Sequence, residues 1–180
     1  MTLRTNGSAT LAALSRDADA ALRTLGLRST FTLDDLHCRM EWLRGRPVRL
    51  IPTDLPVLAP HGAWIAAEAA DYIFFDRSGG PLLTTQIIGH EYGHMVYDAA
   101  ALATVTPLIA APRPAGGAVR GATLAHAGYH PFRERRAEVF GTVVVQRVAP
   151  WSSQGGITRA GPPDLPARMM AALEGGRVRA

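Results

Sequence analysis

The sequence predicts an α+β protein in which a small antiparallel or mixed sheet packs on helices. Three observations favour this class: two helical segments come first, three strand-like segments follow, and two further helical segments come after them. Because helices and strands occur in separate runs along the chain, the order is typical of α+β proteins.

The first two helices have readable ends. Residues 9–25 place apolar side chains at helical spacing, and the pattern stops at Gly26. Thr32 is expected to cap the second helix, with Asp35 three residues further on, as in a capping box. That helix is predicted to run through residues 33–45.

Three strands and two helices follow. Residues 47–52 ("PVRLIP") alternate like a strand, while "AWIAAE" and "DYIFFD" read as two strands joined by a tight turn near 69–71. A third helix is expected to begin at Pro81, a good first-turn residue, and to end near Ala101. Residues 102–128 are predicted to be a long loop, and the last strong helix is expected at 131–148.

Size and composition bound the kind of protein. We expect one domain over residues 1–150 and a Pro/Gly/Arg-rich tail over 151–180, with one short helix at 165–175. A hydrophobic fraction of 47% argues against a disordered chain. Cys38 is the only cysteine, which fits a reducing compartment. With no signal-peptide pattern and no membrane-length apolar run, the expectation is a soluble cytoplasmic protein without membrane contact.

The net charge does not indicate a nucleic-acid partner. The formal charge is +4, and every basic side chain other than histidine is arginine. No long arginine run or basic patch with interleaved aromatic residues occurs. We therefore expect no direct nucleic-acid binding.

The segment "IIGHEYGHMV" places an H-E-x-x-H motif in an otherwise apolar helical run. His90 and His94 are four residues apart, so on a helix their Cβ atoms lie about 6 Å apart on one face. Two imidazoles so placed can bind one metal ion at about 2.0–2.1 Å, the Zn–N distance. Glu91 is expected to reach a water molecule instead and to act as general base. Gly93 is expected to allow a neighbouring element to approach closely.

A catalytic zinc site needs a third protein ligand and an open coordination position. The segment "ERRAE" offers Glu134 and Glu138 at the edge of a helix face that is predicted to be buried. We assign Glu134 as the third ligand and Glu138 as a partner that orients a ligand histidine. The reverse assignment stays open, and His126 and His130 compete for the third position. The alternative for both glutamates is a solvated cluster paired with neighbouring arginines.

Together the two motifs resemble those of the ImmA/IrrE family of metallopeptidases, H-E-x-G-H followed by E-x-x-A-[ND]-x-F-A. "HEYGH" matches the first, and "ERRAEVFG" follows the second, with Glu138 in place of Asn or Asp and Gly141 in place of the final Ala. The "GAWIAA" and "DYIFFD" segments also resemble the family's hairpin before the metal helix. The resemblance covers roughly residues 10–150. It implies a zincin-like fold of the gluzincin kind, with the metal site between two helices.

The resemblance implies a cytoplasmic zinc-dependent endopeptidase that binds Zn²⁺ through His90, His94 and Glu134. Relatives in this family cleave a transcriptional repressor, commonly a helix-turn-helix protein, and so switch on stress or mobile-element genes. The expected partner is therefore a protein substrate of that kind. The oligomeric state has no readable signal.

Two further features are expected to serve catalysis. Tyr129 and His130 are candidate donors to the oxyanion, with His126 another candidate and Tyr97 a weaker one. In related zincins an edge strand binds substrate as an added β-strand, and by that analogy Tyr72 and Phe74 in "DYIFFD" mark the expected edge.

Other functional interpretations compete with the peptidase. One is a zinc-binding sensor or partner-binding protein that acts on a transcription regulator without cleaving it. The intact Glu91 argues against this interpretation, because pure binding needs no general base. A structural zinc site normally has four protein ligands, often cysteines, and this chain has one cysteine.

Overall fold

The computed structural model describes residues 10–54, 61–67, 69–102, 123–124 and 130–148. The elements in chain order are α1 (Leu11–Thr24), α2 (Leu33–Arg44), β1 (Val48–Thr53), β2 (Gly62–Ala66), β3 (Asp71–Asp76), α3 (Pro81–Leu102), β4 (Thr123–Leu124) and α4 (Pro131–Arg147). The predicted α+β class with a small mixed sheet is confirmed. No helix in the described ranges is both long enough and apolar enough to cross a membrane. The tail, with its predicted helix at 165–175, lies outside the described residues.

The helix ends follow local sequence chemistry. The predicted capping box of α2 is confirmed: the Thr32 hydroxyl accepts a hydrogen bond from the backbone N–H of Asp35, and the Asp35 carboxylate accepts one from the backbone N–H of Thr32. The α1 helix begins in the same way, with the Thr10 side chain accepting from the Ala13 backbone N–H. These contacts satisfy backbone donors that the first helical turn would otherwise leave unpaired.

The sheet has the strand order β1-β3-β2-β4. β2 and β3 pair antiparallel, as the predicted hairpin requires, and β1 pairs with β3 in parallel. β4 pairs with β2 at Ile65 and Ala66 and falls inside the segment predicted to be a loop. Two residues are too few to leave a readable alternation in the sequence.

The expectation that Tyr72 and Phe74 mark a sheet edge is wrong. Both residues lie on β3, which has β1 on one side and β2 on the other. Tyr72 stands opposite Arg49 of β1 and Ile65 of β2, so its strand has no open side for another strand. Phe74 is buried in a small cluster with Ile51 and Ile65.

The main core lies between the other face of the sheet and the helices. Trp64 and Ile73 face the helices from the centre of the sheet, and both are fully buried. Tyr92 of α3 and Phe140 of α4 are fully buried in the same cluster. Through this core, α3 packs on the sheet and α4 packs on α3.

Helices α3 and α4 cross at backbone contact distance. A Cβ on Gly93 would lie 2.9 Å from the Cα of Ala137, so the predicted close approach at Gly93 is confirmed. One turn away, a Cβ on Gly141 would lie 2.9 Å from both the Gln86 carbonyl oxygen and the His90 backbone nitrogen. Small residues let the two backbones approach this closely. The alanine that the resembled family pattern has at position 141 would not fit this crossing, because its Cβ would meet the backbone of α3.

Gly141→Ala is expected to lower the free energy of unfolding. The new methyl group would press on backbone atoms of α3, and overpacking of this kind costs about 1–3 kcal/mol. The gain in helix propensity offsets about 1 kcal/mol of that cost. Urea denaturation measures the net change, and Gln146→Ala on the exposed side of α4 provides the control. A Gly141→Ala protein more stable than wild type would contradict the tight crossing.

Candidate metal and catalytic site

The side chains of both motif histidines extend from helix α3 toward the same place. The buried side chains Ile88, Tyr92 and Met95 pack into the core and fix the rotation of the helix. His90 and His94 lie one turn apart, and their Nε2 atoms are 3.1 Å from each other. The sequence prediction that the two imidazoles converge is confirmed.

Glu134 meets these imidazoles from the first turn of α4. Its Oε2 atom lies 3.6 Å from Nε2 of His90 and 3.6 Å from Nε2 of His94. The contact depends on the close helix crossing, because Ala137 at the crossing is one turn after Glu134. Of the two glutamates between which the sequence left the choice open, Glu134 belongs to the cluster of three ligand atoms.

The three ligand atoms suit one small cation. Two ligands at about 2.0–2.1 Å from a tetrahedral zinc ion lie about 3.3 Å apart. The separations of 3.1, 3.6 and 3.6 Å lie on either side of that value. Two imidazole nitrogens and one carboxylate oxygen are also a ligand set typical of catalytic zinc. The residues therefore fit a zinc ion, with one coordination position left for solvent or substrate.

Each histidine has a carboxylate at its other ring nitrogen. Nδ1 of His90 lies 3.3 Å from Oε2 of Glu138, as expected for a partner that orients a ligand. Oε1 of Glu138 in turn accepts a hydrogen bond from Gln86 at 3.0 Å. Nδ1 of His94 lies 3.0 Å from Oδ2 of Asp98. With Nδ1–H donated to a carboxylate, each imidazole turns an Nε2 lone pair toward the cluster, a tautomer assigned from these partners.

Asp98 and Gln86 were missed by the sequence reasoning. Asp98 follows His94 by four residues and Gln86 precedes His90 by four, so both lie on the same helix face as the histidine they support. The spacing of four residues from a motif histidine is the sequence feature that predicts both contacts.

Glu91 is a buried carboxyl group beside the cluster formed by His90, His94 and Glu134, the candidate metal ligands. It is 2% exposed, and its Oε2 has no hydrogen-bond partner in the described structure. Burial raises the pKa of Glu91 to about 8, the backbone N–H of Trp64 lowers it by donating to the carboxylate, and the charge of Glu134 raises it further. A carboxyl group with a pKa near neutrality is suited to accepting and returning a proton.

Strand β2 lies directly against this carboxyl group. A Cβ on Gly62 would lie 2.9 Å from Oε1 of Glu91 and 2.5 Å from a methyl carbon of Ile87. Only glycine lets the strand approach α3 this closely. Gly62 and the Trp64 backbone were missed by sequence reasoning, because a contact between a strand and a helix leaves no local pattern.

The metal-free protein is expected to lose stability as the pH rises from about 4.5 to about 8. In this window folded Glu91 keeps a proton that the unfolded chain, with a pKa near 4.5, has released. Raising the pH therefore favours unfolding, by at most about 1.4 kcal/mol per pH unit from this group, and the effect levels off above the folded pKa. Urea denaturation of the metal-free wild type and of metal-free Glu91→Gln, repeated across this pH range, measures how the free energy of unfolding depends on pH. Parallel curves for the two proteins would contradict the assignment.

The proposed oxyanion donors are not brought together by the described structure. His130 caps α4 one turn before Glu134, and its side chain is exposed. Tyr129 and His126 lie outside the described residues. The Tyr97 ring packs under the Arg136 guanidinium, 3.6 Å from its centroid, and edge-on against Phe140. Tyr97 is therefore a packing residue in this structure.

Comparisons of the chain with family models, with curated proteins and with solved structures find no match. The resemblance to the ImmA/IrrE family accordingly rests on the two motifs.

Proposed function

We propose that the protein is a cytoplasmic zinc-dependent endopeptidase with a zincin-like fold, in which His90, His94 and Glu134 hold the metal. The observation that carries this proposal is the convergence of three ligand atoms, 3.1–3.6 Å apart, next to a buried glutamate. A cation would offset the negative charge of Glu134 and would favour the ionised form of Glu91 beside it. It would also coordinate the Nε2 atoms of both imidazoles, which lie 3.1 Å apart.

The residues divide the chemistry among them. Bound zinc would supply Lewis acidity, polarising the attacking water and the scissile carbonyl. Glu91 accepts the proton of that water and delivers it to the departing amine. The backbone N–H of Trp64 holds the Glu91 carboxylate in place. Tyr129 and His130 stay the proposed donors to the oxyanion.

Strand β2 replaces β3 as the proposed site for an extended substrate. Among the described residues, β4 covers β2 only at Ile65 and Ala66. The remaining part of β2, Gly62–Trp64, lies beside Glu91. A substrate strand added there would place its backbone next to the general base.

The proposed substrate is a helix-turn-helix transcriptional repressor, as the family resemblance implies. A zinc-binding sensor that does not cleave its partner is the rival function. The buried, partly unsatisfied carboxyl group of Glu91 supports the peptidase, because burying it costs stability and a binding site has no use for it.

Metal removal tests the proposal. Protein stripped with a chelator is expected to lose hydrolysis of a helix-turn-helix repressor, and one equivalent of zinc is expected to restore it. Bound zinc is counted by mass spectrometry, and the cleaved bond is identified from the fragment masses. Cleavage that persists without zinc, or a chain that binds no zinc, would reject the function. Zinc binding with an intact repressor would favour the sensor.

A further inference from the structure

Asp98 is placed to act on the metal-ligand cluster from outside it. Its Oδ2 lies 3.0 Å from Nδ1 of His94, the ring nitrogen that faces away from the cluster. Both side chains are largely buried, with exposed fractions of 13% for Asp98 and 7% for His94. A pair shielded from water in this way is stronger than an exposed i,i+4 pair on a helix surface.

The second Asp98 oxygen faces α4. Oδ1 of Asp98 lies 3.6 Å from Nε of Arg133, the residue directly before Glu134. The Asp98 carboxylate thus contacts His94, a proposed metal ligand, with one oxygen. With its other oxygen it contacts Arg133, the neighbour of the third proposed ligand, Glu134. It thereby links α3 to α4.

The contact between Glu138 and His90 is weaker than the contact between Asp98 and His94. Glu138 lies 3.3 Å from Nδ1 of His90, and its side chain is 62% exposed. Its other described partner is the neutral amide of Gln86. Solvent competes for an exposed carboxylate, so Glu138 restrains its imidazole less than Asp98 does.

Resting on the zinc site of the proposed function, we propose that Asp98 is a positioning residue for metal binding. It fixes the ring orientation and the Nδ1–H tautomer of His94, and through Arg133 it holds the turn that carries Glu134. Asp98 contributes more to zinc affinity than Glu138 does, although Glu138 is the residue within the family-like motif.

Zinc affinity of the full chain, measured by competition with a chromogenic chelator, tests this role. Loss of an outer partner of a metal ligand typically weakens binding about 10–100-fold, and we expect Asp98→Ala to fall in that range. Asp98→Asn keeps an oxygen that can accept from Nδ1–H, so its loss is smaller. Glu138→Ala, the matched truncation at His90, is expected to lose less zinc affinity than Asp98→Ala.

Asp19→Asn is the matched control, because Asp19 ties α1 to Arg147 of α4 at 2.7 Å, away from the cluster. It is expected to lower the melting temperature of the metal-free protein without changing zinc affinity. Metal-free Asp98→Asn melts close to wild type, and its zinc-induced rise in melting temperature is smaller. Asp98→Ala with zinc affinity within twofold of wild type overturns the inference and leaves the peptidase standing. Wild-type protein without zinc affinity overturns both.

Discussion

Glu91→Gln is expected to keep zinc binding and to lower the rate of repressor hydrolysis by about 10²–10⁴-fold. Glutamine has nearly the same shape and still offers an oxygen to the Trp64 backbone N–H, so the packing beside Gly62 is preserved. It cannot accept a proton from water at neutral pH. None of the three proposed metal ligands changes, so the zinc content should stay at one equivalent.

The Glu91→Gln experiment needs zinc content and cleavage rate from the same preparation. Glu41→Gln removes an equal charge from α2, where Glu41 accepts a hydrogen bond from the Val48 backbone, and should leave cleavage unchanged. Equal cleavage by wild type and Glu91→Gln would reject the peptidase mechanism, whatever the zinc content.

His94→Ala is expected to lose zinc and cleavage together. The change removes one of three protein ligands and leaves the buried Asp98 carboxylate without its imidazole partner. Zinc affinity should fall by more than the roughly 10–100-fold that follows loss of an outer partner alone. Isothermal titration with zinc gives the affinity, and the repressor assay gives the rate.

His61→Ala is the control for this change, because the His61 side chain is 65% exposed and its carboxylate contact is to Asp76. It should bind zinc like wild type. If His94→Ala bound zinc as tightly as His61→Ala, the ligand assignment would fail and the metal would have to be sought elsewhere in the chain.

The predictions that succeeded concern residues related by helical geometry. His90 and His94 converge because a spacing of four residues fixes their relation on one helix, whatever the rest of the fold does. The capping box at Thr32 is local in the same sense. Glu134 required a second helix to approach, and Gly93 signalled that approach in advance.

The predictions that failed depend on which strands become neighbours. A parallel pairing between β1 and β3 joins segments separated by the intervening β2, and no turn between them fixes it. The sequence therefore predicts the edge at β3, although among the described residues it is β2 that has an open side near Glu91. The contacts of Gly62 and Trp64 with Glu91 also cross from sheet to helix, where neither periodicity nor spacing gives a signal.

The helix crossing formed by Gly93, Ala137 and Gly141 has a consequence for how this protein can evolve. None of the three residues offers an atom to a metal, yet each limits the distance between the two backbones that carry the ligands. Substitution by a larger side chain at any of them separates His90 from Glu134 without touching either. Among descendants that retain the proposed activity, variation at these positions should be as restricted as at the proposed ligands, while the exposed side of α4 diverges freely.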